Sequence, residues 1–394
     1  MKRIFALCLA LMMLCGCTSV PSATQSPTEV GEIEINYISE ATEAIEAPTE
    51  ALTEAEKSDA EIALEAMTLR EKIGQMFIVR PEALGGSKTS FDDNMARALE
   101  EYPVGGVALF SGNIITPDAL ADFTKELSEY GMFIGIDEEG GTVSRIAKNN
   151  NFKVEAFHSM GDIAGEDAAR YVGKTIGNYL KKYGVNLDFA PVADVNSNPD
   201  NPVIGKRAFS DNAETVSGMV SSAINGFHEA GIMTSIKHFP GHGDTNADTH
   251  TGYVRLDKTW DELRECELIP FADNLAKTDM VMVSHITLPK VTDDGLPATL
   301  SYDIVTEKLR GEMGYDGVVI TDSMEMGAIT SAYGAESAVM AIKAGCDIVL
   351  MPLDFEENFE AVISAVENGE ITEEQINTSV LRILELKDKY GLLK

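Results

Sequence analysis

Residues 231–252 read GIMTSIKHFPGHGDTNADTHTG. The first part, Gly231 to Ile236, is apolar, the pattern of a buried strand. The second part, Lys237 to Gly252, holds three of the six histidines of the chain, His238, His242 and His250, with Asp244 and Asp248 between them. Glycines at 241, 243 and 252 are expected to loosen it. A buried strand that runs out into a polar, titratable loop is how a rigid scaffold mounts chemistry.

Seven further apolar runs flank this one, at 73–79, 104–110, 132–136, 185–192, 280–284, 317–321 and 346–351; with 232–236 they predict eight strands. Their near-continuous apolar character suits parallel strands covered on both faces. Amphipathic stretches alternate with them. Thr116-Pro117-Asp118 reads as a helix start, with Thr as N-cap and Pro in the first turn. Thr372 to Gln375 has capping-box spacing ahead of Ile376, Val380, Ile383 and Leu384, which recur at helical spacing. Eight such units predict a (β/α)8 TIM-type barrel, one catalytic domain over residues 59–394. A doubly wound open sheet is the alternative. It has little support, because no GxGxxG follows the first run and Gly85-Gly86-Ser87-Lys88-Thr89 lacks the upstream glycine of a phosphate loop. Cys346 and the remaining Tyr and Met residues read as core.

The chain begins MKRIFALCLALMMLCGC, a basic start and an apolar run too short for a membrane span, which needs ~20 residues. Its end, Leu14-Cys15-Gly16-Cys17, resembles a bacterial lipobox. That resemblance implies a signal peptide over 1–16, cleavage before Cys17 and lipidation of its thiol, which anchors an exported protein to the outer face of the cell membrane. An ordinary secretory signal is the other reading. Residues 17–58 are rich in Thr, Ser, Pro, Ala and Glu and predict a disordered acidic tether with a reach of roughly 35 Å. Cys266 and Cys346 are the cysteines left, and they imply no disulfide framework. The net charge of −33 supplies no basic patch to offset phosphate repulsion, which argues against nucleic acid as a partner.

Barrel enzymes carry their catalytic groups at the C-terminal ends of strands. The third strand runs into Asp137-Glu138-Glu139-Gly140-Gly141-Thr142-Val143-Ser144-Arg145, and the fourth leads to Asp194 and Arg207. The fifth ends in Lys237-His238, the sixth in His285 and the seventh in Thr321-Asp322-Ser323. This mixture of carboxylates and cations suits a polar, hydroxyl-rich substrate.

The stretches DEEGGTVSR (137–145), VIGKRAF (203–209), KHFPGHGDTNADTH (237–250) and GVVITDSMEM (317–326) resemble, in this order, the motifs of glycoside hydrolase family 3. The long histidine loop with its Asp-x-His pair is similar to the family's β-N-acetylglucosaminidase (β-hexosaminidase) branch, and the likeness runs from about residue 60 to the end. It implies a (β/α)8 barrel and a retaining enzyme, free of cofactor and metal, that removes terminal β-linked N-acetylglucosamine from cell-wall saccharides or muropeptides. Asp322 matches the nucleophile, His250 the acid/base and Asp248 its partner. Asp137, Arg145, Arg207, Lys237 and His238 match the sugar-binding positions. Thr249 stands where Ser is common. The chain is expected to end with the barrel, without the second domain of some relatives, and to act as a monomer.

The chemistry of these residues agrees. Glycosidic cleavage needs a carboxylate on one face of the sugar and a proton donor on the other. A histidine with an ordinary pKa near 6.5 can donate and abstract a proton around neutrality, and Asp248 can hold one ring nitrogen of His250 so that the other faces the glycosidic oxygen. A histidine, unlike a glutamate, would not repel a leaving group that bears a carboxylate. Equal relative losses in His250→Glu for leaving groups with and without that carboxylate would sink this idea. Blander readings stand beside the sharp ones. His238, His242, Asp244, Asp248 and His250 also have the composition of a metal site. His242 reads as a hydrogen bond within the loop, Asp322 as a helix cap, Arg145 and Arg207 as surface ion pairs, and His285 as either support or substrate contact. The alternatives in function are a β-glucosidase or glycoside phosphorylase of the same superfamily, and a non-catalytic sugar-binding lipoprotein. The preferred aglycone is not encoded legibly.

Overall fold

The strands are mostly shorter than the apolar runs that predict them. In the computed structural model, which describes residues 57–249 and 252–394, eight strands build the main sheet. They are β1 (Phe77–Val79), β2 (Gly106–Leu109), β3 (Phe133–Ile136), β4 (Leu187–Asp188), β5 (Met233–Phe239), β7 (Met280–Val283), β9 (Val318–Thr321) and β10 (Val349–Leu350). A small separate pair, β6 (Val254–Arg255) and β8 (Ile286–Thr287), is also parallel and has no counterpart in the sequence reading. The main sheet is parallel throughout, in the order β10-β1-β2-β3-β4-β5-β7-β9. A bridge between Ile320 and Ile348 joins its two edge strands, with Thr321 N–H donating to the Ile348 carbonyl at 3.0 Å. The result is the expected (β/α)8 barrel, with every strand's C-terminal end at one rim.

Two local readings change. Residues 73–75 finish the helix Leu69–Gln75, started by the capping box of Thr68 and Glu71, and the strand begins only at Phe77. Ile73 is buried from the helix side, and a short apolar run cannot by itself tell a buried helix end from a strand. At Thr372 only half of the capping box forms. Its hydroxyl accepts from Gln375 N–H at 3.1 Å, while the Gln375 side chain instead donates to the Ile342 carbonyl at 2.8 Å. Thr116 caps the helix Pro117–Ser128 as expected. Ile376, Val380, Ile383 and Leu384 are buried, as is Cys346. The tyrosines are more divided than expected: Tyr130, Tyr171, Tyr253 and Tyr302 are exposed.

Inside the barrel, Phe189 fills space that Gly135 leaves open. A Cβ at Gly135 would lie 2.6 Å from the Phe189 ring, so β3 needs glycine there. Strand β5 is the longest of the eight and buried along its whole length. Its pairing with β7 is irregular between Ile236 and Phe239. An irregularity of this kind re-aims side chains at a sheet's rim. Consecutive strand residues ordinarily point to opposite faces, yet Lys237 and His238 both face the barrel mouth. Among the described residues no helix is long and apolar enough to cross a membrane. The stretches read as a signal peptide and as a tether, up to residue 56, lie outside the described residues, and so do Cys17 and His250.

Candidate active site

A pocket of about 380 Å³ opens at the C-terminal rim. Phe189, Met282 and Leu350 contribute apolar surface to it; Asp137, Glu139, Arg145, Arg207, Lys237, His238 and Asp322 contribute charge and hydrogen bonds. Of the eight residues named as catalytic or sugar-binding, six therefore line one cavity. Asp248 is half-buried on the loop beyond that lining.

The polar wall is assembled from three strand ends. Lys237, from β5, places its ammonium 2.6 Å from Asp137 and 2.6 Å from Glu139, both just past β3. Arg207, from the segment after β4, grips Glu139 with two N–H groups at 2.9 and 2.8 Å. Arg145 Nη2 reaches Asp137 at 3.5 Å and its guanidinium stands over the Phe110 ring. Burial alone would push the Glu139 carboxyl up; Lys237 and Arg207 outweigh it and hold the group well below the usual carboxylate range. Burial would likewise strip the proton from Lys237, but Asp137 and Glu139 reverse the direction and keep it charged. Glu139 was visible in the DEEGG stretch without being singled out; its signal was its place two residues past Asp137, on the same side of an extended chain.

His238 is oriented by Asp194, near the start of the segment after β4. The imidazole Nδ1 lies 2.6 Å from the Asp194 carboxylate, and Nε2 lies 3.3 Å from Arg207 Nη2. A guanidinium only donates, so Nε2 accepts and the Nδ1 proton goes to Asp194. Asp194 also accepts the backbone N–H of His242 at 2.6 Å. Although fully buried, it is kept below the ordinary aspartate value by His238, His242 and that N–H. One carboxylate thus ties a pocket-lining histidine to the base of the histidine loop.

That base is packed, contrary to the expectation that its glycines loosen it. A Cβ at Gly243 would lie 1.7 Å from the Val195 carbonyl, so glycine serves close approach there. The Asn201 amide donates to the carbonyls of His242, Gly243 and Thr245. Lys258 bridges Asp244 at 3.0 Å to the buried Glu267 at 2.5 Å. His242 turns inward to Thr245 Oγ1 at 2.7 Å and Thr249 Oγ1 at 3.3 Å, the loop-internal role read for it. The side chains of His238, His242 and Asp244 therefore engage different groups and do not converge as one ligand set.

Asp322 follows β9 directly. Its N–H donates to the Val283 carbonyl at 2.9 Å, and Ser323 N–H donates to its Oδ1 at 2.7 Å. Burial would raise its pKa, but His238, His285, the Ser323 N–H and Lys237 outweigh it and hold the carboxyl in its charged form. A half-buried, ionised carboxylate at the edge of a polar pocket can act as a nucleophile or stabilise a developing cation.

Residues 68–386 match the glycosyl hydrolase family 3 N-terminal domain. A β-hexosaminidase A from Pseudoalteromonas piscicida is 34% identical over 334 residues, which cover 76% of this chain and 56% of that protein. A β-hexosaminidase from Idiomarina loihiensis is 33% identical over 276 residues, covering 68% and 82%. Among solved structures, a glycoside hydrolase family 3 β-N-acetylglucosaminidase from Paenibacillus sp. str. FPU-7 superposes with a TM-score of 0.78 at 37% identity, covering 83% of this chain and 63% of that one. The chain thus spans little more than half the length of the first of these relatives. With the barrel, the strand-end site and these likenesses together, the chain belongs to glycosyl hydrolase family 3.

Proposed function

We propose that the protein is a retaining exo-β-N-acetylglucosaminidase acting on cell-wall saccharides or muropeptides. The observation that carries this reading is the position of the ionised Asp322 in one pocket with the Asp137–Lys237–Glu139–Arg207 wall and His238. The wall offers donors and acceptors to sugar hydroxyls, the apolar surface suits the face of a pyranose ring, and Asp322 takes the anomeric carbon. In the first step its carboxylate forms the glycosyl–enzyme bond while His250 protonates the departing oxygen. In the second, water attacks the anomeric carbon while His250 takes its proton, the bond to Asp322 breaks, and the sugar leaves with retained configuration. Asp248 orients His250 from two residues away. What supports this pairing is the Asp-x-His spacing and the docking of the intervening Thr249, whose hydroxyl meets His242 and whose carbonyl accepts Ala328 N–H at 3.3 Å, just past the nucleophile. The names of the two enzymes and of the Paenibacillus structure support the N-acetylated sugar as substrate. We further propose export and lipid anchoring through Cys17, on its lipobox-like setting; loss of fatty-acid labelling in Cys17→Ser tests it.

The deciding assay is hydrolysis of aryl β-N-acetylglucosaminide by the purified protein, with the matching glucoside alongside, in the presence of EDTA. The expected result is strong preference for the N-acetyl sugar, and loss of kcat by roughly 10⁴-fold or more in Asp322→Asn, the scale seen when a nucleophile is removed. Preference for the glucoside, or activity that disappears in EDTA and returns with zinc, would falsify this reading.

A further inference from the structure

His285 follows β7, is buried, and is not among the residues that line the pocket. Its ring nevertheless belongs to a circuit of hydrogen bonds around the nucleophile. The Nε2 atom is 2.9 Å from the Ser323 carbonyl oxygen, which can only accept, so Nε2 carries a proton and donates. The Nδ1 atom is 2.9 Å from Thr299 Oγ1. That hydroxyl in turn lies 3.0 Å from the Val283 carbonyl and 2.7 Å from the Ser284 carbonyl. Val283 is the residue whose carbonyl accepts the N–H of Asp322, and Ser323 is the residue whose N–H holds Asp322 Oδ1. The circuit of contacts therefore runs from the nucleophile's backbone to Val283, Thr299, His285 and Ser323 and returns to the nucleophile's carboxylate, the single Thr299 hydroxyl proton serving either a carbonyl or His285 Nδ1 at a time. His285 is the piece that joins the β7 side of it to the β9 side.

We infer that His285 is a positioning residue for the nucleophile: by clamping Ser323 against Thr299 it fixes the plane in which the Asp322 carboxylate meets the anomeric carbon. This deepens the glycosidase reading and rests on it. Fixing one oxygen of a carboxylate and the peptide that follows it removes the rotation which would otherwise spoil near-attack geometry. A misplacement of about 1 Å at such a centre costs on the order of 10²-fold in rate. The contribution of His285 to keeping Asp322 ionised is in line with this placement.

The test compares His285→Leu and His285→Gln with the wild-type full chain on aryl β-N-acetylglucosaminides. The readouts are kcat, KM, the dissociation constant of N-acetylglucosamine, and the rate of covalent trapping by a fluorinated N-acetylglucosaminyl fluoride. The expected result for the leucine variant is a fall of about 10²-fold in kcat and in trapping rate, with KM and product binding within about twofold of wild type. The glutamine variant, whose amide can still donate to the Ser323 carbonyl, recovers at least about a tenth of wild-type kcat. Wild-type kcat in the leucine variant overturns the inference. So does a change in KM and product binding with kcat held, or a glutamine variant no better than leucine. Should the leucine variant not fold, Thr299→Val decides. A drop of about tenfold in trapping rate with product binding intact is expected, and an unchanged rate overturns the inference. Failure of the hexosaminidase reading shows separately, in the wild type: turnover of the glucoside instead of the N-acetyl sugar moves the same variant comparison to that substrate, and turnover of neither overturns both.

Discussion

At the mouth of the barrel, Asp137, Glu139, Lys237 and Arg207 are packed against one another around a cavity. At the opposite end, Asp279 and Asp347 stand just before β7 and β10 and are surrounded instead. Asp279 accepts from Thr234 N–H, His228, Lys389 and Tyr390, and Asp347 from Val319 N–H, Arg310 and Arg382. Both carboxylates are buried, as Glu139 is. The difference lies in what the surrounding donors face. Those at the base point at protein from several sides and are used up in joining helices to strands. Those at the mouth are shared among a few groups that also border open volume, so a polar group of a ligand can exchange places with them. One kind of cluster serves stability; the other keeps polarised donors and acceptors ready for a substrate.

The comparison breaks if the two ends respond alike to loss of a carboxylate charge. Glu139→Gln is expected to have the largest effect, because it leaves Lys237 and Arg207 without their shared partner. It lowers kcat/KM by roughly 10²-fold through misplaced sugar-binding groups and removes roughly 3–5 kcal/mol of stability. Steady-state kinetics and urea melts on one preparation measure both. Asp347→Asn removes a similar roughly 3–5 kcal/mol by uncoupling Arg310 and Arg382, but leaves KM and kcat within about twofold of wild type while the protein remains folded. A large kinetic effect from the base substitution would erase the distinction between the ends.

Lys387 sharpens it on a smaller scale. This lysine is buried at the base, donates to Gln75 Oε1 at 2.6 Å and lies over the Phe133 ring, and burial lowers its pKa to about 7. Lys237 is as deeply buried at the mouth, yet its carboxylate partners raise it. The unfolded chain holds the Lys387 proton up to about pH 10.4. Between about 7 and that value the unfolded state binds more protons than the native one. Stability from this site therefore rises with pH across the window, by up to about 1.4 kcal/mol per unit. Lys387→Met is expected to be more stable than wild type at pH 7, with the advantage shrinking by pH 9. Chemical denaturation of both proteins at the two values reads this directly, and a constant difference would show that Lys387 keeps its charge in the fold.

The legible parts of the molecule are those where one physical signal dominates. Eight apolar runs gave eight parallel strands because strands buried on both faces leave little room for polar residues. Asp322 could be placed because it follows β9, Lys237 and His238 because they lie in the last residues of β5, and Arg207 because it belongs to the segment after β4, all at the same rim. The structure then separated residues that share a stretch. Of Glu138 and Glu139, neighbours in DEEGG, the first turns inward to accept the N–H groups of Ile146 and Ala147 at 2.9 Å and the Tyr179 hydroxyl at 3.0 Å, while the second joins the sugar wall. The two-residue spacing puts Glu139 on the side of Asp137 and Glu138 on the other, but which side becomes the wall depends on which partners arrive from β5 and from the helix Glu166–Lys182.

The order of the strands, the rim that carries chemistry, and the identity of the nucleophile and sugar-binding candidates were determined by the sequence alone. The strands and the rim follow from local burial patterns and from groups placed at strand ends; the candidate roles of Asp322 and of the sugar-binding residues follow from the resemblance of their motifs to glycoside hydrolase family 3. The tertiary structure alone decided that Gly241 and Gly243 serve a packed loop base, that Asp194 holds His238 and the His242 backbone together, and that His285 reaches around to Ser323. These are contacts between segments many residues apart. Their hydrogen bonds exist only once the barrel has closed, because closure is what brings β4, β5, β7 and β9 to a common rim.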